Sequence, residues 1–240
     1  MTDLRRSAKS FVRAHSAVIG SVLAVRTTEP HIVLTYDDGP QPGGTDRVLA
    51  ALDELGATAT FFVLVGRARR HQALLSQVVA AGHEIALHGV DHRALTDFTP
   101  AEVTARTARG RAELEDLAGV EVRWMRPPYG RQTFATWRAI RRTGLEPVLW
   151  GPTLLDSREA STEERLGRAL RDAKAGSILL AHDGFADASD GVDDGPEPIL
   201  DRGDLSRLAL GAYRRQGLVG RSLADALVAG TPLRGAWFGR

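Results

Sequence analysis

The residues of this chain best suited to chemistry are two adjacent carboxylates and a pair of histidines. Asp37 and Asp38 close an apolar run, Ile32 to Tyr36, and are followed at once by Gly39-Pro40. A second apolar segment, Ile85-Ala86-Leu87, ends in His88-Gly89-Val90-Asp91-His92. Two neutral imidazoles and one carboxylate are the donors of a hydrolytic metal site that keeps a position open for water. The spacing of four lets His88 and His92 serve one ion if the segment makes a helical turn after its strand. Adjacent side chains leave a strand end in different directions. One of Asp37 and Asp38 can therefore ligate while the other is free as a general base, and the spacing leaves open which does which.

Three further residues fit amide hydrolysis. His182 closes the run Ile178 to Ala181 and can deliver a proton to the departing amine. Asp156, after Leu154-Leu155, can hold its imidazolium and raise its pKa. Arg126, before Pro127-Pro128-Tyr129-Gly130, can pair with the base carboxylate and keep it ionised. Each alone has a plainer reading: Asp-Asp-Gly-Pro as a polar turn, and His182 as a hydrogen-bonded core residue. Their shared position at strand ends favours a site.

The elements that must place them alternate. Helices are expected from Thr45 or Asp46 to Leu55, from Gln72 to Ala81, from a Thr99 cap to about Leu117, over Phe134 to Thr143, and from Ser161 to about Ala173. Strands are expected over 58–65, 84–87, 120–125, 146–150 and 177–181. Ser21 to Val25 and His31 to Thr35 flank Arg26 to Pro30 and predict a short N-terminal β-hairpin. Such alternation implies an α/β fold with a parallel sheet and helices outside it. The candidate residues then lie on the C-terminal face, where parallel barrels carry their sites. Gly184 to Pro198, rich in Asp and Gly, reads as a long solvated loop that could cross the rim of the groove. The spacing of Asp183, Asp187, Asp190, Asp193 and Asp194 matches no calcium loop.

Composition narrows the classes. With 240 residues and 43% apolar content, one core suffices, and a single domain over 19–240 with an extension over 1–18 is expected. The 31 basic and 30 acidic residues balance to +1, which leaves no electrostatic footprint for nucleic acid. The absence of Cys excludes disulfides and thiolate ligands. Ser16 to Val25 is uncharged and follows Arg5, Arg6, Lys9 and Arg13, yet it is too short to span a bilayer. Ser16, Gly20 and Ser21 interrupt it, so it fits an export signal poorly. The expectation is a cytoplasmic protein without a transmembrane segment; nothing in the sequence addresses its oligomeric state.

Taken together these segments resemble the polysaccharide deacetylase family, the NodB homology domain or carbohydrate esterase family 4. The resemblance covers roughly residues 20 to 228 and rests on ordered segments: Thr35-Tyr36-Asp37-Asp38-Gly39-Pro40, His88-Gly89-Val90-Asp91-His92, Arg126-Pro127-Pro128-Tyr129, Trp150 through Asp156, and Leu180-Ala181-His182. It implies a distorted, incomplete (β/α)7-8 barrel. It also implies Asp37 as base, Asp38, His88 and His92 as ligands of a divalent ion, His182 as acid with Asp156 behind it, and Arg126 steadying the base. Zinc is the implied ion, with cobalt, manganese or nickel as substitutes. The Tyr129 backbone N–H helps bind the oxyanion, and Trp150 and Leu180 meet the substrate. The implied activity is removal of N-acetyl groups from hexosamine units of a glycan or its precursor, releasing acetate. Two alternatives are a small non-sugar amide as substrate and a catalytically silent glycan-binding module. Trp124 is a further candidate for sugar stacking, or else a core residue.

The chain departs from the family at three places, one of them the long Asp-rich stretch after His182. Gly89 stands where the family has Ser or Thr, which implies a differently braced loop. Ser157 stands where it has Trp, and Thr153 replaces an earlier acidic residue, which opens the acyl pocket.

Overall fold

In the computed structural model, which describes residues 19–239, strands and helices alternate along most of the chain. In order they are β1 (Ser21–Thr27), β2 (His31–Asp37), α1 (Thr45–Glu54), β3 (Thr60–Leu64), α2 (Val65–Arg70), α3 (Gln72–Ala80), β4 (Glu84–Gly89), α4 (Pro100–Ala118) and β5 (Trp124–Met125). They continue as α5 (Phe134–Arg141), β6 (Glu146–Pro147), α6 (Thr162–Leu170), β7 (Ile178–His182), α7 (Arg202–Arg215), β8 (Val219–Arg221), α8 (Leu223–Val228) and β9 (Gly230–Gly235). The proposed extension over 1–18 lies outside the described residues.

The main sheet runs β6-β5-β4-β3-β2-β7, with β8 added against the first half of β2. Every pairing in it is parallel. Between β7 and β6 no regular pairing closes the circle. Irregular backbone fills the gap instead: Leu180 N–H donates to Pro152 O, and Leu154 N–H to Leu180 O, each at 2.9 Å. Strand β1 lies over the same gap, with Val25 N–H bonded to Gly176 O and Leu149 N–H to Val22 O, both at 2.8 Å. The fold is the distorted, incomplete barrel expected.

Strand periodicity then decides which side chains face the interior, because alternate residues point to opposite faces. Ile32, Leu34 and Tyr36 pack outward among the helices with Phe61, Ile85 and Leu87. Val33, Phe62, Ala86, Trp124, Val148 and Ile178 form a second, inner core, joined by Val22 of β1 and Leu223 of α8. The N-terminus of α8 plugs the barrel from the starting ends of the strands, where Leu223 N–H reaches Thr60 Oγ1 at 2.8 Å and Ala224 N–H reaches Glu84 Oε2 at 3.0 Å. With that end sealed, the inward series Val33-Thr35-Asp37, Ala86-His88 and Ile178-Leu180-His182 climbs from the packed core to an open top.

Several expectations need correction. The N-terminal hairpin does not form: β1 pairs antiparallel with β9, from Ser21 opposite Gly235 to Thr27 opposite Gly230. Strand β2 has no edge to offer it, since β3, β7 and β8 occupy both sides. Trp124 is 3% exposed and donates to Glu84 Oε1 at 2.7 Å, so it belongs to the core and stacks on no sugar. Helix α1 takes neither Thr45 nor Asp46 as its cap. Gly44 precedes it without a side-chain bond, and Thr45 Oγ1 turns instead to Gln41 N and the Asp183 carboxylate. The Thr99 capping box and the Ser161 cap form as read. Helices α2, α7 and α8 and strands β8 and β9 were not among the expected elements, although Asp201 and Ser222 cap α7 and α8.

Candidate active site

Asp37 and Asp38 part company at the end of β2. Asp37 completes the inward series and is 3% exposed. Arg126 Nη1 donates to its Oδ1 at 2.6 Å, and the same nitrogen donates to Thr35 Oγ1 at 2.8 Å. The guanidinium is fully buried, with its carbon 4.1 Å from the centre of the Phe62 ring. The contact of Arg126 with Asp37 is the one expected.

Asp38 turns the chain, with φ at 77°, and aims at the histidines. Its Oδ1 lies 3.3 Å from His88 Nε2 and 3.3 Å from His92 Nε2. Burial pushes the Asp38 carboxyl up, but the facing His88 and His92 outweigh it and hold the group well below the usual carboxylate range. Burial pushes His92 down, towards the neutral form that ligates. His88 Nδ1 lies 2.8 Å from Arg126 O, which places the proton there and frees Nε2.

These atoms suit a small divalent ion. Asp38 Oδ1 is buried without a hydrogen-bond partner, an arrangement that costs about 1–3 kcal/mol unless something else satisfies it. Donors about 2.1 Å from a tetrahedral ion stand about 3.4 Å apart, close to the spacing observed. Among the described residues, Asp38, His88 and His92 are the group able to hold a metal.

The path from His88 to His92 differs from expectation. It is a bend and not a helical turn. His92 N–H donates to Asp190 O at 2.9 Å, and Asp91 accepts from Arg93 Nη2 at 2.7 Å and from Arg106 Nη2 at 2.8 Å. A Cβ on Gly89 would meet Asp91 O at 2.6 Å. The bend thus requires glycine there, and salt bridges brace a loop where a hydroxyl was expected to.

His182 faces this group from β7. Its Nδ1 bonds Asp156 Oδ1 and its backbone N–H bonds Asp156 Oδ2, each at 2.7 Å. Burial works against its positive charge, but Asp156, with smaller help from Asp38 and Asp37, raises its pKa to about 9. Arg202, at the start of α7, backs the pair with Nη1 3.9 Å from Asp156 Oδ2. Nothing in the sequence spacing marked Arg202.

A cleft of about 340 Å³ opens over these residues, with Trp150, Leu180, Ser157 and Tyr129 on its walls. Tyr129 adopts a left-handed conformation, φ 60°, and lays its ring 4.5 Å from that of His92. The Asp-rich segment is more than a solvated loop. Asp183 is buried beneath Gly39, accepting its N–H at 3.1 Å, and burial first, then nearby Asp38, raise its pKa to about 7. Asp190 is buried against Arg67 and Arg70. Asp194 comes over the rim to Tyr129 and His92.

Comparison with known proteins agrees with this architecture. Residues 24–148 match the polysaccharide deacetylase family. The chain belongs to that family. The relatives named below are deacetylases, hydrolases of N-acetyl amide bonds, and this chain is a hydrolase of that kind. It is 32% identical to a chitooligosaccharide deacetylase of Azorhizobium caulinodans, covering 70% of this chain and 80% of the relative. It is likewise 32% identical to a peptidoglycan-N-acetylglucosamine deacetylase of Bacillus cereus, covering 70% and 79%. Among solved structures, a family 4 pseudoenzyme of Bacillus anthracis superposes with a TM-score of 0.73 at 16% identity, covering 85% of this chain and 68% of that one. The fold alone therefore does not carry the chemistry; the side chains must.

Proposed function

We propose that this deacetylase removes N-acetyl groups from N-acetylhexosamine units of a chitooligosaccharide- or peptidoglycan-type glycan, or a precursor of one, releasing acetate and leaving a free amine. The observation that carries the reading is the convergence on one cleft of an arginine-held carboxylate, a carboxylate-backed histidine and three metal-donor side chains. Asp38, His88 and His92 would hold the ion, and their oxygen and nitrogen donors suit zinc. Such an ion supplies Lewis-acid polarisation of the acetamide carbonyl and activation of water.

The chain's own groups divide the remaining work. Asp37, kept in place by Arg126, takes the proton of the attacking water. His182, protonated through its bond to Asp156, donates to the departing amine. The Tyr129 backbone, turned into the cleft wall, offers an N–H to the developing oxyanion. Leu180 and Ser157 bound the space for the acyl methyl. A silent glycan-binding role would not need both a held base and an opposed acid.

The test is acetate release from N-acetylated chitooligosaccharides and peptidoglycan fragments, after chelation and after zinc is restored. The reading expects zinc-dependent release from at least one glycan. Release only from small cyclic amides, or none from any amide after zinc is restored, would overturn it.

A further inference from the structure

The two histidines of the metal site differ in what holds them. A metal-ligating imidazole is oriented by the hydrogen bond made at its other nitrogen. His88 has that bond, from Nδ1 to the backbone carbonyl of Arg126 at 2.8 Å. Once the ion takes Nε2 of His92, which is turned to Asp38, the proton of His92 must sit on Nδ1, a nitrogen that is buried with no well-aligned partner. The acceptor facing it is Asp194 Oδ2, 3.3 Å away. The same carboxylate receives the Tyr129 hydroxyl at 2.8 Å, and the Tyr129 ring packs on His92.

The loop that delivers Asp194 is anchored. Asp190, four residues earlier, is pinned by Arg67 Nε at 2.8 Å and Arg70 Nη2 at 2.8 Å. Its backbone oxygen receives His92 N–H at 2.9 Å. Backbone and side chain of His92 are thus both addressed by one segment, from a part of the chain distant in sequence from the ligands.

We infer that Asp194 is a positioning residue of the metal site, accepting the Nδ1–H of His92 and thereby aiming its Nε2 at the ion. The inference rests on the reading of Asp38, His88 and His92 as the metal site. It makes zinc affinity depend on a loop outside the ligand-bearing segments. His88, by contrast, takes its orientation from backbone that no side-chain change removes.

Zinc affinity, measured by competition with a chromophoric chelator on the metal-free protein, tests it without substrate. Asp194→Ala should weaken zinc binding about 10- to 100-fold, and Asp194→Asn, which retains an acceptor oxygen, should recover most of the loss. Asp193→Ala, one residue away and exposed, should change nothing. The melting temperature of the metal-free protein should be nearly the same in all three, because a purely structural role would move it. Wild-type affinity in Asp194→Ala overturns the inference, as does an equal loss in Asp193→Ala. A protein that binds zinc in this Asp194-dependent way but releases no acetate would sink the proposed function and leave this inference standing.

Discussion

Asp37 and His182 are register partners on neighbouring parallel strands, β2 and β7, and both point into the barrel. The proposed acid and base thus need no loop to bring them together; the pairing of Thr35 with Leu180 two residues below fixes them. Arg126 steadies one and Asp156 the other. Each group is held separately, so each should fail separately. Asp37→Asn and His182→Ala are each expected to lower kcat about 10²- to 10⁴-fold, the usual contribution of a general base or acid. Zinc content, measured by metal analysis, should stay near that of the wild type. An Asp37→Asn variant with near-normal turnover would remove Asp37 from the base position.

The pH dependence follows from His182. Its folded pKa of about 9 lies above the ordinary value of 6.5. The stabilisation it draws from Asp156 is therefore fully present below the unfolded value and lost as pH rises through about 9. In the metal-free protein, thermal stability should fall between those limits, and an NMR titration should place the His182 transition well above 7. Asp156→Asn removes the raising charge, so the transition should move to lower pH. The alkaline limb of kcat/KM should move with it. An unshifted His182 transition in that variant would mean that Asp156 does not set its charge.

Gly89 marks where this chain has exchanged one brace for another. Any side chain there brings a Cβ to 2.6 Å from Asp91 O, so the backbone that leads to His92 must shift. Gly89→Ser is expected to destabilise by about 1–3 kcal/mol, the range for overpacking a tight site, and to weaken zinc binding by displacing His92. Urea unfolding and zinc titration would measure both. If stability were unchanged, a hydroxyl brace would be compatible with this backbone after all.

Much of the site was legible because its parts are local. Asp37, His88 and His182 each lie at or next to the end of a short apolar strand, and the two-residue period that marks a strand also sends those side chains inward. The Thr99 capping box is complete within four residues and formed as read. What the sequence hid is non-local. Strand β1 finds β9 some 200 residues away (Ser21 opposite Gly235), and no turn signal announces such a pairing. Arg202 and Asp194 are ordinary in their own segments. They matter only because α7 abuts the His182 pair and because Arg67 captures Asp190. Trp124 could be read either as a platform or as core until Glu84 appeared beneath its indole N–H.

The capture of Asp190 is itself open to measurement. Its side chain is 1% exposed and that of Arg67 is 4% exposed, with Nη2 to Oδ2 at 2.6 Å. Removing Arg67 leaves the buried Asp190 carboxylate with the partly exposed Arg70 still beside it, at a cost of up to about 3–5 kcal/mol, the figure for a buried charge left unpaired. Arg67→Ala should lose about that much in urea unfolding. Arg67→Met with Asp190→Leu should lose less, because no lone charge remains. A single variant losing under about 1 kcal/mol would show the pair to be solvated like a surface salt bridge.

On the proposed reading, Ser157 sets what acyl group fits. It is exposed on the cleft wall with Leu180 and Trp150, at the position where a large indole was expected from the family pattern. With only a hydroxymethyl group there, the space beside the acyl methyl stays open, and the chain should process N-propionyl hexosamine nearly as well as N-acetyl. A single methylene shifts recognition by about 1–3 kcal/mol where the wall is closed. Ser157→Trp should therefore raise the preference in kcat/KM for acetyl over propionyl by about tenfold or more, with zinc affinity unchanged. Parallel assays on matched N-acetyl and N-propionyl chitooligosaccharides would read that ratio directly. An unaltered ratio would place the acyl group against Leu180 alone and leave Ser157 on the path of the sugar.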